Sequence, residues 1–153
     1  MPEVHPWAQR HRQRLEEALD DGEVLVDADR TLLARVDAVA LEPGTAGTVT
    51  RLGGRRGGAA LRAARERNVE LPGRGFVLAV TDRRLVIWRA TTWLARPDDV
   101  VLSWSRDRVV SVRTGRRVGT SRLHVLLDDG TLLVLRPYGG RRIDHLADAF
   151  SRQ

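Results

Sequence analysis

The side chains of this chain that could do nucleophilic or acid–base chemistry are few and scattered. The chain has no cysteine, so it offers no thiol nucleophile, no thiolate metal site and no disulfide. Three serines lie on predicted strands, without the strand-to-helix turn that exposes a catalytic serine. Four carboxylates are explained as turn residues or as solvated groups before a strand. The serines are Ser103, Ser105 and Ser111, and the carboxylates are Asp98, Asp99, Asp128 and Asp129.

The four histidines form no recognisable catalytic or metal-binding motif. His5 and His11 lie near the N-terminus without an acidic partner at metal-ligand spacing, and His124 is isolated on a predicted strand. Asp144 and His145 are neighbours on a predicted helix, where adjacent side chains point apart. We therefore predict no catalytic residue, no metal site and no cofactor, and hence a protein that is not an enzyme.

Arginine supplies all 26 basic residues, and there is no lysine. A GC-rich genome explains such a bias, so the positions of the arginines say more than their number. Residues 1–30 carry a net charge of −4, whereas residues 51–74 and 106–122 each carry +5. An acidic start and two basic blocks indicate a polarised surface.

Guanidinium groups in or near the predicted loops and turns are the candidate binding residues. Arg55 and Arg56 lie in the glycine-rich segment 52–58, which could wrap an anion with its backbone N–H groups, although a flexible, solvated loop is the favoured interpretation. This segment lacks the Gly-Lys-Ser/Thr ending of a P-loop, so we predict no nucleotide site. The candidates for contact with an anion or a partner are Arg55, Arg56, Arg74, Arg116, Arg117, Arg141 and Arg142.

Three of the tryptophans lie on or between predicted strands. Trp88 and Trp104 are predicted to pack in the core of the sheet. Trp93 lies in a connection, where it is either an aromatic anchor for a membrane or partner or a buried residue at the rim of the fold. Burial is the favoured alternative for Trp93.

The elements that must position these residues are mostly strands. Phe76–Val80 and Leu85–Trp88 are apolar runs around Thr81-Asp82-Arg83-Arg84, which predicts a tight hairpin. Further strands are predicted at 23–27, 100–105, 108–113, 122–127 and 131–136. Asp129-Gly130 predicts a type I′ turn between the last two.

Helical spacing marks both ends of the chain. Residues 7–19 place Trp7 and Leu15 on one face, which predicts a helix packed on the domain edge, with a membrane or partner helix as the alternative. Residues 141–152 form a second amphipathic helix with an apolar stripe. Residues 28–41 fit either a helix or a strand. Residues 42–75 are predicted to be largely an irregular basic loop, which could hold a short strand at 48–52 and a short helix at 59–68.

The order of these elements resembles the pleckstrin-homology superfold, in particular the bacterial PH-like and GRAM-like domains. The similarity lies in residues 22–25, in the segment 75–86 with its Thr-Asp-x-Arg-Leu element, and in the hairpin 123–135 followed by a helix. It implies a mainly β fold, in which two antiparallel sheets form a partly open barrel capped by a C-terminal helix. It also implies a single domain at 22–153, preceded by a helical extension at 1–21.

Two features depart from that family. The N-terminal helix is extra, and the connection at 42–75 is longer than expected. The spacing of Arg55, Arg56 and Arg74 does not match the phosphoinositide motif of eukaryotic PH domains, so that ligand is not carried over.

The resemblance implies a non-enzymatic binding or adaptor module. The basic segments would contact an anionic partner, either a membrane surface or an acidic protein; the alternative is a structural homo-oligomer. Neither predicted helix is strongly basic, so nucleic-acid binding is not favoured. No apolar run is long enough to span a bilayer and no signal peptide is recognisable, so we expect a cytoplasmic protein, peripheral at the membrane if it binds there.

Overall fold

The computed structural model describes residues 5–41, 49–56, 58–91, 96–117, 120–138 and 143–152. These residues are mainly β, and among them lie eight strands, four short helices and a 3-10 turn at Arg106–Arg108. The helices are α1 (Pro6–Arg10), α2 (Arg12–Glu17), α3 (Gly58–Glu66) and α4 (Asp144–Ser151). The strands are β1 (Leu25–Leu41), β2 (Val49–Arg56), β3 (Gly75–Thr81), β4 (Arg84–Thr91), β5 (Arg96–Ser105), β6 (Val109–Arg117), β7 (Thr120–Leu127) and β8 (Thr131–Pro137).

All strands belong to one open antiparallel sheet built around the long strand β1. The strand order is β5-β4-β3-β1-β8-β7-β6, and β2 pairs with the second half of β1. We call β3, β4 and β5 the β3–β5 wing, and β6, β7 and β8 the β6–β8 wing. Alternate residues of both wings join one core, so the sheet curls around it. This confirms the predicted mainly β fold with a C-terminal helix.

Helices lie near both ends of this core. Ile143 and Leu146, at and just after the start of α4, are fully buried against the two wings. Ala60 and Ala64 of α3 are also fully buried. Arg67, just after α3, donates from Nε to Thr131 Oγ1 at 2.8 Å, which places α3 near the end of β1 far from α4.

The N-terminal extension packs on the outer face of the β3–β5 wing. Trp7 and Leu15 are buried there with Val77, Val86 and Trp88. The predicted helix 7–19 is two short helices, because the chain turns at His11 between α1 and α2. Of the two alternatives for this segment, packing on the domain is the one found.

Two hairpin predictions meet different outcomes. The β3–β4 reversal is tight as predicted, and Thr81 Oγ1 accepts hydrogen bonds from the backbone N–H groups of Arg83 and Arg84 at 3.1 and 3.0 Å. The type I′ turn predicted for Asp129-Gly130 is wrong, because Gly130 alone of the two has a positive φ, +87°. The connection has three residues, and a hydrogen bond from the N–H of Gly130 to Leu127 O, at 3.1 Å, closes it.

Three segments whose predicted structure was undecided or irregular form strands. Residues 28–41 belong to β1, so of the two alternatives for this segment the strand is the one found. Residues 53–56, within the predicted irregular loop, continue β2, and residues 114–117, beyond the predicted strand 108–113, continue β6. Both extensions pair with a neighbouring strand, and pairing satisfies the backbone groups whatever the glycine content. Trp88 and Trp104 are buried as predicted.

Candidate functional site

The predicted arginines fall in different parts of the fold. Arg74 is exposed directly before β3. Arg55 and Arg56 belong to β2, and Arg116 and Arg117 to β6, by their backbone positions. Their side chains lie outside the described part, as do residues Trp93, Arg141 and Arg142 entirely.

Strand register places basic residues that are distant in the sequence on the same face of the sheet. One row of directly paired residues crosses four strands, and directly paired residues share a face. Three gaps of about 4.8 Å make this row about 14 Å wide. From β1 to β6 the row is Arg35, Val134, His124 and Arg113.

This row lies on the outer face of the β6–β8 wing. Leu133 and Leu135 belong to the inner core, so Val134 between them faces outward. By the same alternation Arg122 and Arg136 also face outward, next to the inward Leu123 and Leu135. We call Arg35, Arg113, Arg122 and Arg136 the basic face.

The cations of the basic face differ in exposure. Arg113 and Arg136 are exposed, whereas Arg35 and Arg122 are partly buried. Arg35 pairs through Nε with Asp37, a fully buried carboxylate on the same strand and face. Four arginines and one aspartate leave a net charge of +3 on this face.

A second group of polar side chains, not predicted from the sequence, lies on the opposite half of β1. Asp27 and Asp29 are both 2% exposed. His145 of α4 bridges them, with Nδ1 2.6 Å from Asp27 Oδ2 and Nε2 2.9 Å from Asp29 Oδ2. The ring of His5, just before α1, stacks on His145 at a centroid distance of 4.2 Å. We call these four residues the His–Asp cluster.

The sheet topology explains why these residues meet. β8 pairs with β1 from Thr31 to Ala38, so it has ended before the level of Asp27 and Asp29. Among the described residues, α4 takes that place and packs on β1 and β3. Asp27 Oδ1 also accepts hydrogen bonds from the N–H groups of His5 and Ala28, at 3.1 and 2.9 Å, and Asp29 Oδ1 accepts one from the N–H of Arg30 at 2.8 Å. Both carboxylates are therefore fixed.

Two carboxylates around one imidazole favour its cation. Burial by itself lowers the pKa of His145, but hydrogen bonds to Asp27 and Asp29 and their charges outweigh it and raise the pKa to about 9. In this state both ring nitrogens donate, one to each carboxylate. The cluster therefore ties the N-terminal segment, β1 and α4 together.

The cluster also offers ligand atoms for a metal ion. One ligand atom from each of His5, Asp29 and His145 lies within 4.8 Å of the other two. The two rings are parallel to within 8°, so their in-plane lone pairs do not converge on one point as they stand. The sequence held one signal for this site, since Asp27 and Asp29 stand at alternate positions, which share one face of a strand.

Comparison with protein-family models finds no match for this chain, and a search of curated proteins finds no relative. Among the described residues, no helix has the length and apolar character needed to cross a membrane.

Proposed function

We propose that this chain is a non-enzymatic PH-like module that binds an anionic membrane surface through its basic face. The observation that carries the proposal is the basic face itself, in which arginines of β1, β6, β7 and β8 face outward on one side of the sheet. Basic residues that are far apart in the sequence thereby act on one surface. Guanidiniums attract anionic lipid headgroups by about 1 kcal/mol each near the surface.

The strand order supports the PH-like part of the proposal. With β2 and α3 set aside as an insertion after β1, seven antiparallel strands remain, with the first beside the last and a helix at the C-terminal end. A curled antiparallel sheet with a C-terminal helix agrees with the mainly β fold that the resemblance implies. The insertion accounts for the long connection that set this chain apart from the family.

A membrane surface fits the basic face better than a small acidic ligand. The row is about 14 Å wide on a paired sheet, so its cations are spread out rather than gathered around one point. Arg113 and Arg136 point outward from different strands and are both exposed. An extended array of anions matches such a surface, and an acidic protein is the alternative that the experiment separates.

The test is co-sedimentation with anionic and neutral vesicles at low and physiological salt. We expect binding to anionic vesicles alone, weakening as salt rises. Arg113→Glu with Arg136→Glu should reduce binding about thirtyfold or more, and Arg55→Glu with Arg56→Glu should also weaken it. The matched control is Arg10→Glu with Arg14→Glu, which makes the same charge change on the exposed side of α1 and α2.

Each outcome has a distinct meaning. Equal losses in the control and the face variant would show that net charge, not the basic face, drives binding. Absence of binding to anionic vesicles at low salt would refute the membrane proposal and leave an acidic protein as the partner to test.

A structural homo-oligomer remains the second candidate. The apolar side of the N-terminal extension is buried on its own sheet, which weighs against the extra helix as the contact between subunits. Among the described strands, β2, β5 and β6 each pair with one neighbour, so they are the edges left for pairing between subunits. Light scattering of the free protein gives the mass that decides between monomer and oligomer.

A further inference from the structure

We propose that the His–Asp cluster binds a divalent transition-metal ion such as Zn²⁺, with His5, Asp29 and His145 as ligands. Two imidazole nitrogens and one carboxylate oxygen form a donor set that Zn²⁺ takes in proteins. Asp29 Oδ2 lies 2.9 Å from His145 Nε2 and 3.7 Å from His5 Nδ1. Tetrahedral ligands bound at about 2.0–2.1 Å lie about 3.3 Å apart, so both distances are close to what an ion requires.

Asp27 completes the arrangement as a positioning residue. Its Oδ2 lies 2.6 Å from His145 Nδ1, which leaves Nε2, the nitrogen beside Asp29, to face the ion. Metal-binding histidines commonly donate their other N–H to a carboxylate in this way. The backbone N–H groups of His5 and Ala28 hold the second oxygen of Asp27 and fix its orientation.

The charges of the site suit a divalent cation. Asp27 and Asp29 are each 2% exposed, so they bring two negative charges into a buried region. A divalent ion would offset both charges. Ligation through Nε2 requires that nitrogen to be unprotonated. Two imidazoles favour a transition metal over Mg²⁺ or Ca²⁺, which prefer oxygen ligands.

One side chain must move for the ion to bind. The rings of His5 and His145 are stacked and parallel, so the His5 ring has to turn before its lone pair reaches the ion. The turn breaks a long hydrogen bond, the 3.4 Å contact from Trp7 N to His5 Nδ1. His5 lies before α1 and outside the sheet, so no strand pairing opposes the rotation.

Such an ion would join three elements that are distant in the sequence. His5 leads into α1, Asp29 lies on β1 and His145 lies on α4. An ion that binds only the folded state stabilises it, and the stabilisation grows with the ratio of the ion concentration to the dissociation constant. The proposal stands apart from membrane binding, because the cluster and the basic face lie on different parts of β1.

The experiment uses the full chain without a histidine tag. Calorimetric titration with Zn²⁺ measures stoichiometry and affinity, and the visible spectrum with Co²⁺ reports ligand geometry. We expect one ion per chain, with binding at least tenfold weaker in His5→Ala, abolished in Asp29→Asn and 10–100-fold weaker in Asp27→Asn. His11→Ala and His124→Ala are the matched controls, since both histidines lie outside the cluster.

Three results would overturn the proposal. The first is the absence of one-to-one Zn²⁺ binding in the parent protein. The second is an affinity of the His5 and Asp29 variants equal to that of the parent. The third is a loss of affinity in His11→Ala equal to the loss in His5→Ala. Circular dichroism without metal checks that each variant is folded. If Asp29→Asn does not fold, the comparison of His5→Ala with His11→Ala decides the question, because both sites lie outside the sheet.

Discussion

Glu23 and Arg84 form a two-pronged ion pair between the segment before β1 and the start of β4. Arg84 donates from Nε to Glu23 Oε2 at 2.8 Å and from its terminal nitrogen to Oε1 at 3.0 Å. Thr81 Oγ1 donates to the same carboxylate at 3.1 Å. This contact fixes the β3–β4 hairpin to the start of the domain, across about 60 residues of sequence.

The Glu23–Arg84 pair gives a pH-dependent contribution to stability. Burial alone would raise the pKa of Glu23, but hydrogen bonds from Arg84, Asp20 N and Thr81 outweigh it and lower the pKa below its usual 4.5. The stabilisation is therefore present above pH 4.5 and is lost as the pH falls through the lowered pKa. Glu23→Gln should cost about 2 kcal/mol at neutral pH, and much less in acid.

Urea unfolding of both proteins between neutral pH and pH 3 measures this difference. Glu17→Gln is the control, because Glu17 is an exposed helix residue. A cost for Glu23→Gln that does not change with pH would contradict the assignment.

Removing His145 should destabilise the metal-free protein strongly. The change leaves Asp27 and Asp29 buried without their shared cation, and breaking a buried pair costs about 3–5 kcal/mol. We expect His145→Ala to approach that loss, and His124→Ala, on the outer face of the β6–β8 wing, to lose far less. Chemical denaturation measures the free energy of unfolding of both variants. Equal losses in the two would show that the cluster has no special role in stability.

The N-terminal extension should be required for a stable monomer. Trp7 is 3% exposed and covers Val77, Val86 and Trp88. Trp7→Ala should cost about 3–5 kcal/mol, as for other buried tryptophans. Deleting residues 1–21 should expose this face and cause self-association, which light scattering detects. A monomeric, equally stable deletion variant would show that the extension is dispensable.

Gly130 should not tolerate a side chain. Its φ of +87° suits glycine, and an added Cβ would collide with the carbonyl oxygen of Val39. Gly130→Ala should therefore cost more than about 1 kcal/mol. Gly73→Ala is the matched control, since a Cβ there meets no atom within 4 Å and no positive φ is involved. Thermal unfolding compares the two, and equal melting temperatures would contradict the expectation.

The elements with local signals were predictable. The hairpin around Thr81 follows from two apolar runs and a short polar break, and α4 follows from its apolar stripe. Helix and strand both remained as predictions for segment 28–41, because Leu32, Leu33 and Val36 fit helical spacing. It forms a strand because β3, β8 and β2 all pair with it, and pairing outweighs periodicity.

The type of turn was less predictable than its place. Asp-Gly marked the reversal between β7 and β8, but whether two or three residues form it depends on the register of the strands. Gly130 N–H reaches Leu127 O, and its own carbonyl accepts from Val39 N at 2.8 Å. That second contact comes from β1 and has no signature within the hairpin.

The sequence by itself determined the mainly β character, the helical segments near both ends and two basic blocks, because these depend on neighbouring residues. Only the tertiary structure decided which residues share a site. His145 and Asp27 are 118 positions apart, and they meet because β8 ends before this level and α4 packs beside β1 in its place. Arg35 and Arg113 share a face through the register of four strands. Such contacts depend on how distant segments pair, which no local pattern of residues records.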